Sequence, residues 1–305
     1  MRMYAGLTRR NILIYFKDKQ SVIFSLLTSM IVFALYLLFL KGSFVDAIDA
    51  VSGAVPMLED RIVPEDLDMM TSMILLSGIL GSAMITVPFN CLSTVVGDRE
   101  NNVDQDILAT PIRRWQIVLA YFSAAAISAI IMTGIILTAG LLILSITGNI
   151  HMSAAAIAKA YLVTAFGCIS STALFMIIVQ FFRSASACGA FFGILSAVSG
   201  FVIGAYIPVS SFSDKVQTVC NLFPGSHVTI LLRNALMGGI LDHIDESIGG
   251  LDNGVFVNTI MDNFTFRARM FGNAMDTGRM VIYIAALIAV SVAMMIVMYS
   301  KRYKK

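Results

Sequence analysis

The sequence predicts an all-α integral membrane protein built on about six transmembrane helices, and three observations carry that reading. The chain is 58% hydrophobic and only 13% charged, where soluble domains carry about 25% charged residues. Its mean hydropathy is +0.84. Its charge-free stretches are each long enough to cross the roughly 30 Å of a bilayer core, which takes about 20 residues of helix. A soluble chain this apolar would expose patches that aggregate. In lipid the composition is tolerable if every backbone polar group is satisfied internally, as in helices.

The charge-free stretches place the spans. They cover 20–40, 69–97, 115–158, 184–213 and 280–300. The third is broken by a turn at Gly148, Asn149, Ile150 and His151, beyond which the apolar pattern runs past Lys159 to Phe182. Six helices result, near 20–40, 70–96, 115–147, 154–182, 186–208 and 279–299. The first apolar run, about 20 residues, exceeds the usual 7–15 of a signal-peptide core, so an uncleaved anchor is expected.

Loop charges give an orientation. Arg2, Arg9, Arg10, Lys17 and Lys19 precede the first span, and Lys301, Arg302, Lys304 and Lys305 follow the last. The loop between the first two spans is acidic, with Asp46, Asp49, Glu59, Asp60, Glu65, Asp66 and Asp68 against Lys41 and Arg61. The positive-inside rule then puts both termini in the cytoplasm. The 98–114 loop becomes cytoplasmic, and the 209–278 loop extracytoplasmic. A plasma (inner) membrane location is expected.

Several function classes are disfavoured. Apart from Lys159 near the start of the fourth, the predicted span interiors carry no Asp, Glu, Lys, Arg or His, whereas ion-coupled carriers need buried ionisable relays. His151, His227 and His243 all fall outside the predicted spans, which argues against a membrane metalloprotease or Ser-His protease. There is no phosphate-binding loop for ATP and no potassium-filter sequence. Uphill transport would need energy from another chain. Cys91, Cys168, Cys188 and Cys220 share no Cys-x-x-Cys spacing and read as apolar packing residues.

Four features rise above a generic bundle. Residues 1–19 carry Tyr4, Leu7, Ile14 and Tyr15 near helical spacing among basic residues, which suits an interfacial helix; the plainer alternative is a basic tail obeying the topology rule. In the loop at 98–112, Asp98 and Glu100 are expected to open a short helix. Val103, Ile107 and Leu108 would form its apolar face and Pro111 would end it. Such a helix suits docking into a partner's groove; the alternative is a solvated loop. In the fifth span, Gly189, Gly193, Gly200 and Gly204 form two small-xxx-small repeats that let backbones approach within one chain or across a dimer. Beyond it, Pro208, Pro224 and Arg233 punctuate apolar pieces of 10–14 residues, too short to span and suited to re-entrant helices. Residues 240–278 stay unassigned; their Asn263-Phe264-Thr265 is a formal glycosylation sequon.

At this point the chain resembles the ABC-2 type transporter permease family. That family has a charged loop after its second helix, then a leucine-rich stretch and a Thr-Pro-aliphatic-x-Arg turn into the third. Ile107, Leu108, Ala109, Thr110, Pro111, Ile112, Arg113 and Arg114 match it. Asn101-Asn102-Val103 stands where the family usually has a Gly. The resemblance implies that 98–112 is a coupling helix meeting an ATPase subunit through Glu100, Val103, Asp104, Ile107, Leu108 and Pro111. It also implies extracytoplasmic re-entrant helices around Pro208, Pro224 and Arg233.

The resulting expectation is a non-enzymatic permease subunit of an ATP-driven exporter. It would pair with a second copy or a paralogue and with two ATPase subunits, which would hold ATP and magnesium. Membrane lipids are partners; nucleic acid is not. The cargo would be amphipathic or hydrophobic: a drug, a peptide or a lipid-like molecule. Thr86, Asn90, Ser196 and Ser199 are candidate path residues, although each also suits an interhelical hydrogen bond. Pro88 is a candidate kink. The rival readings are a scaffold or immunity protein without an ATPase, and an ATP-independent channel.

Overall fold

A computed structural model describes residues 2–35, 42, 63–249 and 252–302. It begins with α1 (Arg2–Lys17) and α2 (Lys19–Leu35). The next group is α3 (Pro64–Cys91), α4 (Ser93–Glu100) and α5 (Val103–Ala109). Then come α6 (Arg114–Thr147), α7 (Ala154–Val179) and α8 (Ala185–Val202). Helices α9 (Asp214–Leu222), α10 (Pro224–Ile248) and α11 (Val255–Asn263) follow. A small antiparallel hairpin, β1 (Ala268–Met270) with β2 (Asn273–Met275), leads to α12 (Thr277–Arg302).

Five helical stretches among the described residues are long and apolar enough to cross a membrane: Pro64–Glu100, Arg114–Thr147, Ala154–Val179, Ala185–Val202 and Thr277–Arg302. They fall on five of the six expected spans. The expected first span coincides with α2 as far as Leu35. The rest of it, and most of the acidic loop behind it, lie outside the described residues.

The bundle is organised around α3, which packs against α2, α6, α7, α8 and α10. In its most apolar window, 94% of the Pro64–Glu100 stretch is buried, against 17% for α8 and 22% for α12. Thus α3 is the axis, while α8 and α12 leave most of their surface for lipid or a partner. Small residues make the central position possible. A Cβ added at Gly81 would lie 2.4 Å from Thr229 Oγ1, and one at Gly167 would lie 2.5 Å from Val228 Cγ1. These glycines let α10 press against α3 and α7, the small-residue packing that lipid-embedded helices depend on.

Two expectations change. The fifth span stops at Val202 instead of 208, because Gly204 turns the chain at φ +70°. The amides of Ala205 and Tyr206 fold back onto the Gly200 carbonyl at 2.8 and 3.2 Å. The short re-entrant piece expected near 228–237 is instead the first part of α10, a 25-residue helix, roughly 38 Å long at 1.5 Å per residue. Its apolar face continues past Gly239 through Ile240, Leu241, Ile244 and Ile248, all buried. Asp242, Asp245 and Glu246, on its other side, made the segment read as a loop. The helix begins deep in the bundle, with Gly225 against Ile85 of α3, and runs toward the end where α3 starts.

The close approach at Gly81 sets a stability test. Overpacking of a tight contact typically costs about 1–3 kcal/mol. Gly81→Ala is therefore expected to lower the melting temperature of the detergent-solubilised protein. Adding Thr229→Ala, which removes the colliding hydroxyl, is expected to restore much of the loss. A Gly81→Ala variant as stable as the parent would contradict this packing.

Candidate functional site

The short helices α4 and α5 form an elbow between α3 and α6. Pro88 lies inside α3, where it leaves the carbonyl four residues earlier without its ladder donor, and α3 gives way to α4 at Leu92. Asn102, at φ 59°, separates α4 from α5. Asp98 and Glu100 therefore end α4 and do not open the coupling helix, as the sequence reading had them. The acids in the first turn of α5 are Asp104 and Asp106, where a negative charge is favoured by the helix dipole.

Three consecutive charged residues bind the elbow to the bundle. The Asp98 carboxylate accepts two hydrogen bonds from Arg10 of α1, at 2.7 and 2.9 Å, and a third from the Tyr121 hydroxyl of α6 at 2.5 Å. Its side chain is 9% exposed and that of Arg10 34%. The bidentate fork is the strong form of this contact. The hydrogen bond to Asp98 raises the Arg10 pKa above its ordinary value, outweighing partial desolvation. Next along, Arg99 donates to the carbonyls of Val179, Gln180 and Phe182 at the end of α7. Val179 is the last residue of α7, Gln180 caps it, and Phe182 lies in the turn beyond. Finally, Glu100 Oε2 accepts the Ala185 amide, 2.9 Å away, at the start of α8. Residues 98–100 thereby fasten the elbow to α1, α6, α7 and α8.

Helix α1 is the outer half of this clamp. It packs along α6, burying Leu7, Thr8, Asn11 and Tyr15, and Tyr4 bonds Ser123 of α6 at 2.6 Å. The sequence reading counted Arg10 only as topology charge. The available signal was its position three residues after Leu7 and one before Asn11, on the side of the helix that packs.

The predicted contact residues divide. Ile107 is buried, and Val103 and Leu108 pack partly against the protein's own core. The apolar face of α5 is thus turned toward the protein's own core. The outward face consists of Gln105, Asp106, Ala109, Thr110 and Pro111. Asp104 is partly buried, and Glu100 caps α8.

The remaining candidates also have places. Thr86 is buried and bonds the Ser82 carbonyl within α3. Asn90 donates to Ser25 Oγ and the Ser21 carbonyl of α2, at 2.7 and 2.8 Å. Ser199 meets Ser82 at 3.3 Å, joining α8 to α3. Ser196 is half-buried and accepts the Ser199 hydroxyl at its carbonyl. Gly189 and Gly193 are exposed with open space beside them, whereas the Tyr206 ring covers Gly200. Pro208 lines an outer cavity of about 640 Å³, and Pro224 starts α10. Arg233 is buried in α10 and donates to Ser77 Oγ and to the carbonyls of Phe264 and Thr265. It is a charge in the helical core that the expected loop assignment had placed outside.

A family model described as "ABC-2 family transporter protein" matches residues 57–299. The chain belongs to the ABC-2 transporter family. The match spans α3 to α12, including the elbow, and leaves α1 and α2 before it. No curated protein matches the chain. This ABC-2 protein is a multi-pass membrane component of an ABC transporter, a permease and not itself catalytic.

The clamp sets a second test. Removing one partner of a well-buried ion pair costs about 3–5 kcal/mol; because Arg10 is partly solvated, a loss nearer 2 kcal/mol is expected for Asp98→Ala. In a double-mutant cycle with Arg10→Ala the losses are expected to be strongly non-additive. Thermal unfolding in detergent measures both, and additive losses would show that the two side chains do not act together.

Proposed function

We propose that this permease is the membrane half of an ATP-driven exporter and that its elbow is the lever on which the ATPase acts. The observation that carries the reading is the three-residue clamp at 98–100, which ties the exposed loop to α1, α6, α7 and α8. A push on α5 would be passed to those four helices at once, shifting a two-state equilibrium through differential binding.

The ATPase would meet the outward face of α5: Gln105, Asp106, Ala109, Thr110 and Pro111. Two ATPase subunits would hold ATP and magnesium, and a second copy or a paralogue would complete the translocation path. Exposed Gly189 and Gly193, on the little-buried α8, support a second permease there. Both termini would be cytoplasmic, in the plasma (inner) membrane. The cargo would be amphipathic or hydrophobic, in keeping with the sparsely charged, Met- and Phe-rich spans.

Reconstitution with the ATPase subunit tests the proposal. The wild type is expected to form a stable complex and to alter its rate of hydrolysis. Asp106→Lys, on the exposed face, is expected to weaken or abolish that response while leaving the permease folded. A permease that binds no ATPase, or an Asp106→Lys variant coupled like the wild type, would sink the lever and favour a scaffold or channel role.

A further inference from the structure

Two of the chain's three histidines meet far from the elbow. His151 lies in the loop between α6 and α7, and His243 in the second half of α10. Their rings stack with centroids 3.9 Å apart and planes 15° from parallel. Asp66, in the first turn of α3, lies opposite both. His151 Nε2 is 3.7 Å from Asp66 Oδ1, and His243 Nε2 is 3.6 Å from Asp66 Oδ2. One ligand atom from each residue lies within 4.8 Å of the other two.

The backbone is shaped to bring them together. His151 adopts φ 46°, a left-handed conformation that non-glycine residues seldom take. Gly239 stands one turn before His243, and a Cβ there would lie 1.9 Å from the His151 carbonyl oxygen. Only glycine lets α10 come this close to the loop. An unusual backbone and a required glycine thus converge on the histidine pair.

An ion would suit this spacing once the stacked rings tilt so that both Nε2 lone pairs converge. Both Nε2–carboxylate distances exceed the 2.7–3.2 Å of an N–H···O bond. Ligands held at about 2.1 Å around a tetrahedral ion would be roughly 3.4 Å apart, near the two distances observed. Two imidazoles and a carboxylate suit zinc or a related first-row ion, while magnesium and calcium favour all-oxygen shells. The three residues line a cavity of about 580 Å³ that also contains Glu65 and Asp68, whose charge would concentrate cations there.

We infer that Asp66, His151 and His243 form a zinc-type transition-metal site, with one coordination position left open, at the end of the bundle opposite the elbow. A bound ion would cross-link the start of α3, the α6–α7 loop and α10.

The test is calorimetric titration of the full-length, tag-free protein in detergent with zinc chloride, with magnesium chloride as the control. The wild type is expected to bind one zinc ion per chain with micromolar or tighter affinity and to ignore magnesium. His151→Ala and His243→Ala are each expected to weaken binding by at least about tenfold, since even outer-shell changes cost about 10–100-fold. Asp66→Asn, which keeps shape and removes charge, is expected to do the same and serves if a histidine variant fails to fold. Cobalt(II) is expected to give a visible absorption band in the wild type that Asp66→Asn loses. Zinc binding unchanged in Asp66→Asn, or no stronger than magnesium binding in the wild type, would overturn the assignment.

Discussion

The fold at the elbow depends on one contact, the fork between Arg10 and Asp98. A carboxylate that is 9% exposed is tolerable near the core only because three donors reach it. Those donors come from α1 and α6, so satisfying Asp98 also fixes two helices that are distant in sequence. The neighbours then act in the same way. Arg99 holds the turn that follows α7, and Glu100 answers an open amide of α8. Exposed loops in most proteins are poorly tethered; this one is held at three consecutive residues.

A tethered elbow transmits displacement only if the helices behind it move as units, and the packing around α3 supplies that stiffness. Gly81 and Gly167 let the Thr229 and Val228 side chains of α10 press onto the backbones of α3 and α7. Arg233 adds a second cross-link, between α10, Ser77 of α3 and the chain near Phe264. At the periphery, α8 and α12 bury little of their surface within the chain. The protein is therefore a rigid axis with unfinished sides, the arrangement expected of a subunit that completes its surface with lipid and other chains.

Much of the architecture was legible in the sequence, because absence of charge over 20 or more residues is a direct physical signal of a span. The amphipathic α1 was legible from Leu7 and Tyr15, and the α5 turn from Thr110 and Pro111. The pairings were not. Asp98 looked like a helix-starting acid because Asn102, a residue that readily takes the left-handed turn, was not read as the break, and its partner Arg10 is 88 residues away. Helix α10 was split because its acids, Asp242, Asp245 and Glu246, resemble a loop unless the buried face through Ile244 and Ile248 is followed. Asp66, His151 and His243 come from three separate segments, and only the fold joins them.

The central claim is that force applied to α5 reaches α1 and α8 through residues 98–100. Hydrogen exchange on the permease–ATPase complex, with and without ATP, addresses it most directly. The account predicts that ATP changes amide protection in α5 and, together with it, in α1 and at the start of α8. Changes confined to α5, with α1 and α8 unaltered, would contradict it.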